Sequence, residues 1–473
     1  MTDKQAFSGW SVDRVKVNKS FSEETLCFRA DVYLDDKHVG FAFNDGHGGS
    51  TGLSHARGQE HVAFPAGLAE HIDVLVDDAQ QIQDLKRTYK RWVKQIMAGK
   101  VFALRADENK ARSQIVFGLT GKVDPHSRTL VLPRSAGKMI LDVLTSWDGL
   151  WYMRIVRYGY PTFVPAGITY EEPQARLAFF PSYPYGVRWL DRVLPGGDTF
   201  AALFLNLILG AAFIVLVGLL TRAWFGVRHA RTAMILCAIF PGSFVLSFAY
   251  SEALLLTLAA VTLLALHHER WLLAGIAAAL ATATRPNGIA VVFACVVAAI
   301  IVARRDRSLR PLIAPVLAPI GFIGYQLWID AHADESRVWF RVQGEAWKEG
   351  ASFGLTAIRR TLETFTQPLT SPTDMITAAS FVCTIVLLYV AWRRQRLPLP
   401  ALAYSAVIVV LMLLPATVTA RPRFLFTAFP LFIAAAVWLD DERRRSWWPY
   451  VVGTCLSGLV TLTALYGSYA VVP

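Results

Sequence analysis

Asp148 is the residue around which a reaction can be written. The segment 145–160 reads Thr-Ser-Trp-Asp-Gly-Leu-Trp-Tyr-Met-Arg-Ile-Val-Arg-Tyr-Gly-Tyr, one acid among Trp147, Trp151, Tyr152, Tyr158 and Tyr160. Aromatic faces suit the apolar faces of sugar rings, and they partly desolvate a carboxylate, which favours work as a general base. The same composition also serves as an interfacial aromatic belt with one capping acid. Downstream lie three polar knots: Tyr250-Ser251-Glu252, Arg285-Pro286-Asn287-Gly288 and Arg421-Pro422-Arg423. Arginine at the end of an apolar run is either a forked donor for a lipid phosphate or a side chain snorkelling to the interface. Glu252 equally suits a helix N-terminus. Together, on one side of a membrane, these residues describe a cavity holding an acid, aromatics and cations. No cofactor motif is evident and no Asp-x-Asp stands beside Asp148, and the residues leave a divalent metal open.

The elements that must position them are hydrophobic. Of 473 residues, 54% are hydrophobic and 18% charged, against about 25% charged in a soluble protein. Residues 1–146 are polar throughout, whereas long apolar runs separated by short charged clusters begin near residue 199. A span needs about 20 mostly apolar residues. Candidates are 200–220, 232–249, 252–267, 271–284, 288–303, 311–329, 375–392, 399–419, 424–439 and 449–470, several of them short. Their richness in alanine, glycine and leucine suits close helix packing in lipid.

Charge then orients the spans. Five clusters alternate with them: Arg222, Arg228 and Arg231; His267, His268 and Arg270; Arg304, Arg305, Arg307 and Arg310; Arg393, Arg394 and Arg396; Arg443, Arg444 and Arg445. Counted in order, all five fall on one side, which the positive-inside rule makes the cytoplasm. The other side receives 147–198, the three polar knots and the loop 330–374, so the chemistry is expected to face away from the cytoplasm. The net charge of +11 is thereby accounted for by membrane orientation rather than by a nucleic-acid footprint. Of the five cysteines, Cys237, Cys295, Cys383 and Cys455 lie in apolar runs, Cys27 does not, and none makes a metal-ligand spacing.

Upstream of Asp148 the pattern differs. Residues 26–34 and 39–43 alternate like two strands about a turn at Asp35-Asp36-Lys37. Residues 66–98 place Leu68, Ile72, Leu75, Ile82 and Leu85 on one helical face. Residues 1–113 are expected to form a small α+β soluble domain. Gly46-His47-Gly48-Gly49 lacks the setting of a phosphate loop, and no activity is assigned to this region. Residues 114–146 read as a linker, 147–198 as the extracytoplasmic catalytic loop, and 199–473 as the multi-span domain.

The order Trp-Asp-Gly-x-Trp-Tyr (147–152), Gly-Tyr (159–160), Phe-Phe-Pro-x-Tyr-Pro (179–184), Phe-Pro-Gly-Ser (240–243), Tyr-Ser-Glu (250–252), Arg-Pro-Asn-Gly (285–288) and Arg-Phe…Phe-Pro-Leu-Phe (423–432) resembles the PIG-V family, over about residues 136–470. These are the second mannosyltransferases of glycosylphosphatidylinositol assembly and their bacterial relatives. The resemblance implies a polytopic α-helical membrane protein of the C-type glycosyltransferase kind, with about ten transmembrane helices. It implies transfer of a sugar, typically mannose, from a polyprenyl-phosphate carrier to a lipid or glycan acceptor with inversion. Asp148 matches the family's essential acid and would take the proton of the acceptor hydroxyl. The leaving lipid phosphate needs positive charge, for which Arg285 and Arg421 or Arg423 are the candidates. Trp147, Tyr152, Glu252 and Asn287 match family positions that would shape the sugar and lipid sites, and the neighbouring Trp151 joins the substrate-binding set.

A C-type transferase normally has a span immediately before its catalytic loop, and no uninterrupted apolar stretch occupies 101–146. Three accounts are open. A downstream span translocates the N-terminal domain, a first span has been lost by fusion or a mistaken gene start, or 130–146 is re-entrant. The fusion or gene-start account is favoured. Two other functions stand beside the transferase. A transporter or flippase of lipid-linked glycans would carry ionisable residues deep in its spans and matching halves, which are not seen. A non-catalytic relative would keep the fold without the activity. Short cytoplasmic loops, many alanines, valines and arginines and the lack of retention signals point to a multi-pass protein of a bacterial plasma membrane, among membrane lipids and without a nucleic-acid partner.

Overall fold

The computed structural model describes residues 7, 9–18, 25–47, 49–77, 79–80, 102–105, 116–117, 123–124, 131–134, 136–170, 172–348, 350–367, 371–393, 397–416 and 419–467. The chain divides into two compact units, Met1–Met139 and Ile140–Pro473.

In the first unit, β1 (Trp10–Val17), β2 (Phe28–Leu34), β3 (Lys37–Asn44) and β4 (Gly52–His55) form one antiparallel sheet in that order. The hairpin expected over 26–43 is present, with Asp35 and Asp36 both at positive φ, as a tight two-residue turn requires. Along β2, Phe28, Ala30 and Val32 are buried, one face of the pleat. They pack with Val39 and Ala42 against Leu68, Ile72 and Val76. Residues 68–77 and 79–80 are helical; the rest of the helix expected to reach 98 lies outside the described residues, as does Gly48 of the glycine-rich turn. Phe102–Arg105 pairs with Val131–Arg134, and Val116–Phe117 with Val123–Asp124.

The chain is a polytopic α-helical membrane protein with this small sheet-and-helix unit ahead of it. Among the described residues, Gly197–Phe225, Pro286–Asp306, Arg310–His332, Pro372–Arg393 and Glu442–Tyr466 are long and apolar enough to cross a membrane, and Glu252–His267, Trp271–Thr282, Leu399–Leu413 and Phe429–Leu439 are shorter apolar helices. The candidate runs fall largely on helical chain, with several interruptions: the run 311–329 is broken at Ala318-Pro319, the helix in 399–419 ends at Leu413 with 417–418 outside the described residues, the run 424–439 is broken at Ala428, and 468–470 of the last run lie outside the described residues. The run 232–249 is not one helix. It stops at Ile239, and Pro241–Leu246 is a 3-10 turn. Pro241 has no N–H to continue the ladder. A Cβ on Gly242 would lie 2.2 Å from the Pro422 carbonyl oxygen, so this break is where the chain around Pro422 seats. Arg394 and Arg396 of the basic clusters lie outside the described residues.

Before Asp148, α1 (Ala136–Leu144) is a nine-residue helix, about 14 Å long and too short to cross about 30 Å of hydrocarbon. It leads into α2 (Asp148–Tyr158). The bundle that follows includes α3 (Gly197–Phe225), α4 (Glu252–His267), α5 (Trp271–Thr282), α6 (Ile289–Asp306), α7 (Ile320–His332), α8 (Pro372–Arg393), α9 (Leu399–Leu413), α10 (Pro422–Thr427), α11 (Phe429–Leu439) and α12 (Trp448–Gly467). Its core interleaves alanines such as Ala259, Ala278 and Ala294 with Phe213, Phe240, Phe426 and Phe432. Small residues let helix axes approach, and aromatics fill the wider gaps.

Two glycines on α7 test this packing. A Cβ at Gly321 would sit 1.8 Å from the Ala279 carbonyl oxygen of α5, whereas one at Gly324 would meet nothing within 4 Å. Gly321→Ala should lose about 1–3 kcal/mol through overpacking, and Gly324→Ala should be neutral or gain up to about 1 kcal/mol from helix propensity. Thermal unfolding of the purified variants in detergent decides; equal midpoints would contradict the close α5–α7 contact.

Candidate active site

Four charged side chains from four separate segments meet in the second unit. Asp148 opens α2, Glu252 opens α4, Arg285 precedes the 3-10 turn Pro286–Gly288, and Arg423 lies in the first turn of α10. Arg423 Nη1 donates to Asp148 Oδ2 at 2.6 Å, and Arg285 Nη2 approaches the same oxygen at 3.5 Å. Arg285 Nη1 donates to Glu252 Oε2 at 2.8 Å, and Arg423 Nη1 lies 3.6 Å from Glu252 Oε1. Two carboxylates and two guanidiniums are thus cross-paired into a neutral set. Its exposure is graded: the Glu252 side chain is 1% exposed, Arg423 7%, Arg285 12% and Asp148 19%. Asp148 is the member that a ligand can reach. Both its ion pairs fall on Oδ2.

Local structure explains the placement of each. Trp147, the residue before Asp148, holds φ at 56°, a positive value that costs a bulky residue about 1–3 kcal/mol and persists only where surroundings enforce it. Here the indole N–H of Trp147 donates to the Tyr466 carbonyl at 3.2 Å, and Ala249 N–H donates to the Leu144 carbonyl at 2.8 Å. These contacts turn the chain so that Asp148 heads α2, where the N-terminal dipole favours a negative charge. Ser251 Oγ joins the Tyr152 hydroxyl at 2.6 Å and accepts from Arg285 Nη1 at 3.2 Å. Burial pushes the Tyr152 phenol up to about 12, so it stays protonated in this contact. Asn206 of α3 is fully buried and donates Nδ2 to the carbonyls of Tyr250, at 2.8 Å, and Phe248, fixing the non-helical stretch that delivers Ser251 and Glu252. Ser182 Oγ donates to the Ala283 carbonyl at 2.8 Å, two residues before Arg285. The aromatic segment 179–184 thereby supports the site from behind, itself held where the Tyr160 and Tyr325 hydroxyls and the Trp339 indole donate to the carbonyls of Phe179, Leu177 and Ala178.

Not every expected residue joins the cluster. Trp147 and Tyr152 border it by the bonds just described. Trp151 faces another way, stacked on Phe179 with ring centroids 6.0 Å apart and capped by Arg154 at 4.8 Å. Asn287 is half-buried in the 3-10 turn after Arg285, and no hydrogen bond of its side chain reaches the acids. Arg421 is 3% exposed, yet its Nε and Nη1 have no hydrogen-bond partner among the described residues. Ser251 and Asn206 join the site as well, through their bonds to Tyr152, Arg285 and the Tyr250 carbonyl, and neither is among the residues expected there. A lone asparagine inside an apolar run was a signal available for the second. Among the described residues, no group of three or more His, Cys, Asp or Glu is placed to hold a metal ion.

Burial alone would raise the Asp148 carboxyl, but the guanidiniums of Arg423 and Arg285 outweigh it and hold the group below the usual carboxylate range. A carboxylate depressed in this way contributes stability that is present above its unfolded value of about 3.9 and is lost as pH falls through the folded one. Wild-type protein should therefore lose stability on acidification below about pH 4. Asp148→Asn should be less stable at neutral pH, because breaking a buried pair strands a charge at a cost of about 3–5 kcal/mol, and its stability should fall less steeply on acidification. Unfolding midpoints measured from pH 7 to pH 3 check this; parallel curves would mean that Asp148 is not ion-paired.

The family model for dolichyl-phosphate-mannose-protein mannosyltransferase matches residues 181–328, a stretch that contains Glu252 and Arg285 but neither Asp148 nor Arg423. The sequence has no match among curated proteins. Similar solved structures include ArnT from Cupriavidus metallidurans bound to undecaprenyl phosphate, 18% identical over 70% of this chain with a TM-score of 0.40. The same protein in its apo state is 17% identical over 70% of this chain with a TM-score of 0.41. The Archaeoglobus fulgidus oligosaccharyltransferase tethered with an acceptor peptide containing the NVT sequon is 18% identical over 68% of this chain with a TM-score of 0.38. The chain spans 64% of the length of ArnT and 51% of that of the oligosaccharyltransferase.

Proposed function

We propose that this chain is a membrane glycosyltransferase of the C-type kind. It moves a sugar, mannose in this reading, from a polyprenyl-phosphate carrier to a hydroxyl on a lipid or glycan acceptor. The observation that carries the proposal is the reachable carboxylate of Asp148, ion-paired through one oxygen inside a cluster of matched charges. The match of residues 181–328 to a mannosyltransferase family model supports both the reaction and the sugar.

In the proposed reaction the acceptor oxygen attacks the anomeric carbon from the face opposite the phosphate. The bond from that carbon to the phosphate oxygen breaks, its electron pair staying on the phosphate, and the anomeric centre inverts. Asp148 takes the acceptor proton as the new bond forms. Before transfer the two acids and two arginines sum to zero. After it, Asp148 is neutral and the cluster carries one positive charge as the departing phosphate gains one negative charge. Arg285 and Arg423 thus answer charge that appears only during the reaction, the condition under which electrostatic stabilisation lowers a barrier.

The reading places the site outside the cytoplasm, in a plasma membrane. Glu252 starts the helix that His267 ends, and Arg285 precedes the helix that ends at Arg304 and Arg305. The acid cluster and the basic clusters therefore sit at opposite ends of the same helices, and the basic end is expected inside.

Asp148→Asn keeps the shape but cannot accept the proton, and should lower transfer from polyprenyl-phosphate mannose by about 100-fold or more while leaving donor binding within a few-fold. Radiolabelled transfer to membrane lipids by the purified chain tests it. Undiminished transfer by the variant would remove Asp148 as the base.

A further inference from the structure

We infer that a cavity at the basic end of the bundle holds an acyl chain of an anionic phospholipid, with the head group against the arginines at its rim. The cavity encloses about 350 Å³, within the range of about 300–1,000 Å³ that small-ligand sites occupy. Five helices build it. Leu263 of α4, Ala298 and Ile301 of α6 and Leu399 of α9 form its apolar wall, and Trp224 of α3 and Trp271 of α5 stand beside them. Ile301 and Leu399 are also exposed, so the cavity opens to the surroundings of the helices, which for a spanning bundle are lipid. Trp224 lies in the last turn of α3 and Trp271 begins α5. Tryptophan at helix ends sits at the level of lipid head groups. Along α4, Leu263 is about 16 Å of helix from Glu252. The cavity is therefore separate from the acid cluster, and the inference stands whether or not the chain transfers sugar.

The rim supplies the charge. Glu269 lines the cavity and accepts from Arg305 Nη2 at 2.7 Å, and Arg305 Nε donates to Asp306 Oδ1 at 2.7 Å. Both acids are thus answered by one arginine. Arg270 precedes Trp271, and Arg304 follows Ile301 by three residues, on the same side of α6. Neither makes an ion pair among the described residues. Two acids and three arginines leave this rim with one positive charge. A water-soluble metabolite would gain nothing from a wall of leucine, alanine and isoleucine. A neutral hydrocarbon, the tail of a polyprenyl carrier included, would bring no anion to the arginines. A phospholipid with one negative charge does both: its chain fills the apolar space, and its phosphate meets the unpaired cations at head-group level.

Titration of the purified full chain in neutral detergent tests the site, with bound lipid read by native mass spectrometry. The probes are phosphatidylglycerol, zwitterionic phosphatidylcholine and an uncharged polyprenol. Wild type should bind phosphatidylglycerol about 10-fold or more tighter than phosphatidylcholine. Arg270→Gln and Arg304→Gln, both at exposed positions where folding is not at stake, should each cut that preference by about 5-fold. Arg443→Gln, in the basic turn before α12 and outside the cavity lining, should leave it unchanged. Ile301→Trp keeps every cation but fills the space, and should weaken binding of both phospholipids by about 10-fold. Equal affinity of wild type for the two phospholipids would overturn the inference. So would an Arg443→Gln loss as large as the other two, which would mean diffuse attraction to the whole basic end. Polyprenol binding that Ile301→Trp weakens, without a preference for phosphatidylglycerol, would overturn it in favour of a carrier tail.

Discussion

The ion pair between Asp148 and Arg423 is the constraint on which the second unit is organised. Neither charge tolerates burial alone, and each is carried by a segment with its own reasons for lying where it does. Asp148 follows a strained Trp147 and heads a helix, and Arg423 rides in the first turn of a helix seated against the Gly242 break. Glu252 and Arg285 complete the neutralisation from two further segments. Neutrality is what allows four ionisable groups to share so small a space, and the gradation of exposure leaves one carboxylate facing outward. An ordinary carboxylate at such a surface would be hydrated and indifferent; this one has its charge fixed by partners that cannot leave without stranding themselves.

That arrangement was only partly legible in the sequence. The apolar runs were readable because lipid imposes length and composition directly, and the helices from Gly197 onward fall on them. The polar knots at Glu252, Arg285 and Arg423 were readable as charges at the ends of those runs. Their pairing was not, because nothing in the order of residues says which carboxylate meets which guanidinium across more than two hundred positions. The interrupted run at 232–249 shows a second limit. Hydropathy averages over Pro241 and Gly242, whereas the backbone stops there and admits Pro422. Trp151 shows a third. Three residues after Asp148, a spacing that puts both on one side of the helix, its long side chain nonetheless stacks on Phe179 and meets Trp347 edge-on.

Polar residues inside the apolar part carry much of the architecture. Asn206 spends its amide on two carbonyls of a neighbouring non-helical stretch, and Ser182 bonds the carbonyl of Ala283. Both act on backbone rather than on the acids themselves. The result is a site whose side chains are placed by main-chain contacts one layer away, which is how irregular backbone is kept within an otherwise helical membrane bundle.

The four segments are also spread far along the chain, and synthesis delivers them in order. Asp148 leaves the ribosome first, Glu252 and Arg285 follow, and Arg423 arrives only when most of the protein has been made. Until then the cluster holds two acids against one cation. A chain stopped short of α10 therefore cannot settle its charges, whatever number of helices it has already inserted: one of its two acids is left without the cation that pairs with it in the finished fold.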